Sequence, residues 1–240
     1  MQPHVQEVVD RFGAAVARAL GTPYSAVVYG SAARSEHLKG RSDLNVLLVT
    51  QALGPSVLAT LEPAIELLRG HTTAPPLLFT EAEWRRSADV FPIEIADMQV
   101  ARVVVAGPDP VAGLTVAPAD LRRALERDFR GKLLRFRQAY AVFGHRPEAL
   151  GEALTRGVSS VAVLLRVALV LVGEAPPIST TEAVTRAAER MGFPATAVTD
   201  LLEARSSRGS HLDRLAAERF VAALEAVVHF IDQFTVEGDS

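Results

Sequence analysis

The sequence predicts an α/β domain followed by an all-helical domain. Three observations lead there. Apolar residues switch repeatedly between helical and strand spacing from residue 1 to about residue 110. Strand-like runs stop after Gly107-Pro108-Asp109-Pro110, a turn-forming stretch. From there on only helical spacing recurs, so the domains are taken as 1–110 and 111–240.

The elements follow in order. Val5, Val8, Val9, Phe12, Val16 and Leu20 recur every three or four residues, the period of an amphipathic helix, and Gly21-Thr22-Pro23 stops it. Ser25–Tyr29 is a short β-rich run that ends at Gly30-Ser31, and after a polar stretch Leu44–Val49 reads as a second buried strand. Pro55 opens a helix to about Leu68, which Pro63 should bend or interrupt. Pro76–Phe79 reads as a third strand, Glu81–Ala88 as helix and Ala101–Ala106 as a further strand. Between them, Phe91–Gln99 fits either a strand, from the alternation of Phe91, Ile93 and Ile95, or a short helix, from Pro92 and the Phe91, Ile95, Met98 spacing. The helix is favoured.

The second half opens with an arginine-rich helix, Asp120–Phe143, and continues with an apolar one, Gly151–Val172. Ser179-Thr180-Thr181-Glu182 has the form of a capping box for a helix to about Met191. A shorter helix begins at Pro194, and His211–Phe234 forms a long last one. The apolar run Val158–Val172 is too short for a membrane span of about 20 residues and contains Arg166, so it is read as a buried helix. Inside such a helix Arg166 must reach a carboxylate or the surface.

Composition narrows the function. Of 240 residues, 49% are apolar and 22% charged, ample for a packed core. The 25 basic side chains nearly balance 28 acidic ones, which argues against a general nucleic-acid or anionic-membrane binder. Absence of cysteine removes disulfides, thiolate metal sites and cysteine nucleophiles. The first ten residues lack a basic-then-apolar signal pattern, so a cytoplasmic location is expected.

One stretch carries chemistry: Val28-Tyr29-Gly30-Ser31-Ala32-Ala33-Arg34, then Ser42-Asp43-Leu44-Asn45-Val46. Glycine lets the backbone approach a phosphate, and the amides and hydroxyl of a Gly-Ser turn can cradle its oxygens. On the second strand, residues i and i+2 share a face, so Asp43 and Asn45 point together. This stretch resembles the nucleotidyltransferase superfamily typified by DNA polymerase β, and in particular its small bacterial minimal and aminoglycoside-modifying members. The resemblance rests on Gly30-Ser31-Ala32-Ala33-Arg34 and Ser42-Asp43-Leu44-Asn45, about a tenth of the chain.

The resemblance implies a mixed sheet with flanking helices, an ATP or other nucleoside triphosphate substrate, and Mg²⁺. Asp43 would be the catalytic metal ligand. Gly30, Ser31, Arg34, Ser42 and Asn45 would bind the nucleotide. In active relatives two paired carboxylates and a third on a later strand hold Mg²⁺ ions while a hydroxyl acceptor attacks the α-phosphorus. Here the second acid is Asn45, and Pro76-Leu77-Leu78-Phe79-Thr80 holds no carboxylate. Glu81, Glu83, Glu94 and Asp97 follow out of register. An amide supplies no charge, and hard dications favour anionic oxygen. The leading expectation is a degenerate member with weak or single-site Mg²⁺ and weakened or lost transfer. In the other reading Glu81 or Glu94 substitutes and one metal suffices. From a different class, a non-catalytic or antitoxin-like module would use the same fold for a protein partner.

Other features have plainer explanations. Arg205-Ser206-Ser207-Arg208-Gly209-Ser210-His211 resembles the Arg-to-His ribonuclease motif of helical HEPN domains, yet reads as an interhelical loop. Glu126, Asp128 and Arg130 could face the first domain as a helical-domain base does in aminoglycoside relatives. Pairing at i, i+4 among the surrounding arginines explains them without function. His37 and Lys39, between the motif halves, could touch a triphosphate or be solvated. The remaining histidines are scattered without zinc-ligand spacing, and Trp84 is expected as a packing anchor.

Overall fold

The computed structural model describes residues 1–38, 40, 42–72, 75–207 and 214–236. They divide into two compact units, Met1–Val116 and Ala117–Ser240.

In the first unit, helix α1 (Pro3–Leu20) buries Val5, Val9, Phe12 and Val16 along one face. Gly21 ends it at φ +60°, with its amide donating to the Ala17 carbonyl. Strands β1 (Tyr24–Tyr29) and β2 (Asn45–Thr50) pair antiparallel. Helix α2 (Pro55–Glu66) runs through Pro63 without ending there. Next come β3 (Leu77–Thr80), the single turn α3 (Glu81–Trp84), α4 (Pro92–Val100) and β4 (Arg102–Ala106). The sheet order is β3-β2-β1-β4, with β2 and β3 parallel and β1 and β4 antiparallel. This is a mixed sheet, and the Phe91–Gln99 stretch is helical.

Strand alternation explains the two core layers. On one face Ala26, Val28, Val46 and Leu48 pack with Val5, Val9, Phe12, Val16 and Leu61. On the other, Val27, Leu47 and Val49 pack with Trp84, Ile95, Met98 and Val111. Both central strands are covered on both faces, which is why they read as continuous apolar runs. Trp84 is 1% exposed, stacks obliquely on Phe79 and donates its indole N–H to the Pro110 carbonyl at 2.8 Å. Thr80 and Glu83 form a reciprocal capping box at the start of α3, so the Glu83 carboxylate is spent there.

The second unit is helical: α5 (Pro118–Phe143), α6 (Pro147–Leu171), α7 (Thr180–Met191), α8 (Thr196–Ser206) and α9 (Arg214–Gln233). Gly157 of α6 lets α5 approach closely, because a Cβ there would lie 2.5 Å from the Phe136 ring. Helix α6 as a whole is long and apolar enough to cross a membrane, which the run Val158–Val172 by itself is not. Over half of its most apolar stretch is buried in the bundle. Arg166 stays fully buried instead of reaching the surface. Its guanidinium donates to the carbonyls of Pro177 and Ile178, both at 3.3 Å, and to Thr180 Oγ1 at 2.8 Å. Carbonyls of the α6–α7 connection and the Thr180 hydroxyl are among its acceptors.

On α5, Glu126 pairs with Arg122 at 3.2 Å and with Arg130 at 3.0 Å, both at i, i+4 spacing. Asp128 pairs with Arg127 at 3.3 Å. Arg205 and Ser206 close α8, while Arg208–His211 lie outside the described residues.

Candidate functional site

The two halves of the motif meet where β1 ends and β2 begins. Tyr29 stands opposite Asn45 in the antiparallel register, so the two side chains share a face of the sheet. Gly30 then takes φ +73°, a left-handed conformation that favours glycine, and turns the chain sharply. A Cβ on Gly30 would lie 2.7 Å from Asn45 Nδ2, so the amide of Asn45 occupies the space that a side chain at 30 would need.

Residues 30–36 fold into one compact turn. The Arg34 amide donates to the Gly30 carbonyl at 3.3 Å, Ser35 to Ala32 at 3.3 Å and Glu36 to Ser31 at 2.9 Å. Ala32 is 1% exposed and anchors the turn in the core, while Ser31 is half-buried. Ser42 closes the following loop on itself: its hydroxyl accepts from the Leu38 amide at 3.1 Å, and its own amide donates to the Leu38 carbonyl at 2.8 Å. Asp43 is exposed, and the Leu44 amide beside it donates to the His71 carbonyl at 2.8 Å.

Arg34 is placed differently from Ser31. Its side chain is buried, with Nη1 at 3.1 and 3.4 Å from the two carboxylate oxygens of Asp97 and Nε 3.5 Å from Glu36. Burial and the carboxylates of Glu94 and Asp97 push the Tyr29 phenol well above its usual range, so it remains a neutral hydroxyl. Helix α4 thus brings two acids to Tyr29, the register partner of Asn45. In sequence they are merely out of register; the signal available was an acid, Asp97, between the apolar residues Ala96 and Met98 of a buried helix face.

His37 is 5% exposed and packs obliquely on His4, with ring centroids 5.8 Å apart. Burial, then His4 and His71, lower its pKa, and the charge of Asp43 opposes them. His4 and His71 were not legible as neighbours, because each lies on a different element. Lys39 is outside the described residues.

The donor set limits what a metal could find here. Asp43 offers one carboxylate and Asn45 a neutral amide oxygen. Continuing the β2–β3 register from Leu47↔Leu77 back to Asn45 reaches Pro75, so the neighbouring strand supplies no anion there. Among the described residues, no three His, Asp or Glu side chains gather as a metal-holding group. These residues do not fit a two-metal centre. One Mg²⁺ carried by a triphosphate can still share Asp43, because Mg²⁺ is commonly held by one or two carboxylates plus phosphate oxygens.

The fold has solved counterparts. A spectinomycin adenyltransferase, AAD(9), from Enterococcus faecialis, determined with ATP and spectinomycin, superposes with a TM-score of 0.57. The match covers 92% of this chain and 99% of that one, at 14% identity. The chain has a nucleotidyltransferase-like fold. No protein-family model matches the sequence, and no curated protein does. In this nucleotidyltransferase-like fold, Gly30 and Ser31 follow the end of β1 and Asn45 opens β2, while Asp43 lies two residues before the strand and so does not share a strand face with Asn45.

Proposed function

We propose that the chain binds a nucleoside triphosphate, ATP or a close analogue, at the Gly30-Ser31 turn, and that nucleotidyl transfer is weakened or lost. The observation that carries this reading is the meeting of Gly30 and Asn45. A side chain at position 30 would collide with Asn45 as it stands, and that residue is an amide in place of a carboxylate. Backbone amides and the Ser31 hydroxyl hold the phosphate oxygens.

Asp43 would hold a Mg²⁺ brought by the triphosphate, and that ion would supply charge neutralisation at the phosphates. Asn45 orients by hydrogen bonding and adds no charge. Any transfer that remains is attack by an acceptor hydroxyl on the α-phosphorus: the new P–O bond forms, the bond to the β-phosphate oxygen breaks, and pyrophosphate leaves. The proton of the hydroxyl passes to solvent or a nearby base. With one carboxylate, charge stabilisation in that step falls well short of a two-metal site.

Calorimetric titration with ATP, with and without Mg²⁺, tests the reading. It predicts saturable binding in both cases, tighter with Mg²⁺, and loss of the Mg²⁺ effect in Asp43→Ala. Absence of any ATP binding would overturn it. Robust pyrophosphate release with a hydroxylated acceptor would overturn the claim of weakened chemistry while keeping the nucleotide.

A further inference from the structure

We infer that Arg34 and Asp97 form a positioning pair that holds the Gly30-Ser31 turn in its anion-binding shape, so that Arg34 acts on a bound triphosphate through the turn and does not touch it. The inference deepens the nucleotide-binding reading above and rests on it for the ligand, though not for the geometry.

A cation three residues beyond a Gly-Ser turn would ordinarily be assigned to the phosphates. Here its guanidinium points inward. The Arg34 side chain is 3% exposed and that of Asp97 6%, and both Asp97 oxygens lie within reach of Nη1. Glu36 stands at Nε, 3.5 Å away. To meet a phosphate, Arg34 would have to give up its buried ion pair with Asp97, which is costly.

The pair also ties the turn to a helix set in the core. Asp97 sits on α4, whose Ile93, Ile95, Ala96 and Met98 are buried, so its carboxylate is fixed by the core. The 30–36 turn is held by Ala32 in the core, by the Gln2 side-chain amide donating to the Ser35 carbonyl at 3.3 Å, by its own backbone bonds and by this reach across 63 residues of sequence. Through the Arg34 and Glu36 amides, which donate to the Gly30 and Ser31 carbonyls, a fixed Arg34 fixes the peptide planes of the Gly-Ser pair. Glu36 and Asp97 around the guanidinium, with Glu94 next to Tyr29, make that side of the turn unfavourable for an anion. The phosphates are left to the backbone amides and Ser31.

The test compares Asp97→Asn, Arg34→Gln and the apolar double variant Arg34→Met/Asp97→Leu, which removes both charges of the pair together and keeps the test valid if a single variant fails to fold. ATP affinity is measured over a range of salt concentrations, and amide hydrogen exchange is followed without ligand. A positioning pair predicts that each variant weakens ATP binding by a similar factor, roughly tenfold, with the double no worse than either single. The salt dependence of binding stays that of the native chain, because no phosphate contact has been removed. The amides of Arg34, Ser35 and Glu36 lose protection together, while those of β1 and α4 keep theirs.

If Arg34→Gln alone weakened binding and flattened the salt dependence, with Asp97→Asn unchanged in affinity and exchange, Arg34 would be a direct phosphate ligand and the inference would fall. Should the native chain bind no triphosphate, the nucleotide reading fails by itself. The exchange measurement still decides whether the pair holds the turn.

Discussion

Replacing Gly30 with alanine should separate the two demands that meet at this turn. The backbone there is at φ +73°, and an L-residue in the left-handed region costs about 1–2 kcal/mol. A methyl group would also sit 2.7 Å from Asn45 Nδ2, closer than real Cβ contacts allow. Because that atom ends a short side chain, Asn45 can rotate away, so this second effect displaces the amide more than it destabilises the fold. Denaturant unfolding should therefore report a loss of about 1–2 kcal/mol, dominated by the backbone. ATP affinity, read by calorimetry, should fall further than stability alone implies, since the amide has moved and the turn is crowded. Adding Asn45→Ala to Gly30→Ala should leave the stability loss nearly unchanged, because the φ strain remains. A Gly30→Ala chain with native stability and native ATP affinity would refute the reasoning.

Three further outcomes are expected. Asn45→Asp puts a second carboxylate two residues along the chain from Asp43 and should tighten Mg²⁺-dependent ATP binding roughly tenfold, about 1.4 kcal/mol, in the same titration. His37 binds protons less readily folded than unfolded, so its contribution is intact above its ordinary value of 6.5 and is lost as pH falls below that. Unfolding curves between pH 7 and 5 should show stability falling with acidity, more steeply for the native chain than for His37→Gln, with His4, His71 and Asp43 still facing the site. Gly157→Ala forces a methyl against the Phe136 ring, and overpacking of about 1–3 kcal/mol should outweigh a helix-propensity gain of about 1 kcal/mol, lowering the thermal midpoint.

Much of the fold is legible in the chain because its determinants are local. The α1 stripe, the two apolar strands and the helix stops at glycine and proline are all written within a few residues of where they act. Pro92 and the Phe91, Ile95, Met98 spacing likewise tipped α4 toward helix, as observed. Helix α6 begins earlier than its apolar run, at Pro147, a residue suited to a first helical turn, and Leu150 is already buried. What resisted reading was tertiary. Arg34 in a Gly-Ser turn has the local look of a phosphate ligand, and the carboxylate that claims it lies far along the chain. Arg166 found loop carbonyls, whose direction no spacing rule predicts. The gathering of His4, His37 and His71 joins three separate elements in the same way.

Crystals grown with a non-hydrolysable ATP analogue and Mn²⁺, with the metal located by its anomalous signal, would probe the site most directly. The phosphates should rest on the amides after Gly30 beside the Ser31 hydroxyl, with at most one Mn²⁺, shared between Asp43 and the ligand. Two Mn²⁺ ions held at Asp43 and Asn45, or phosphates seated away from this turn, would contradict the account.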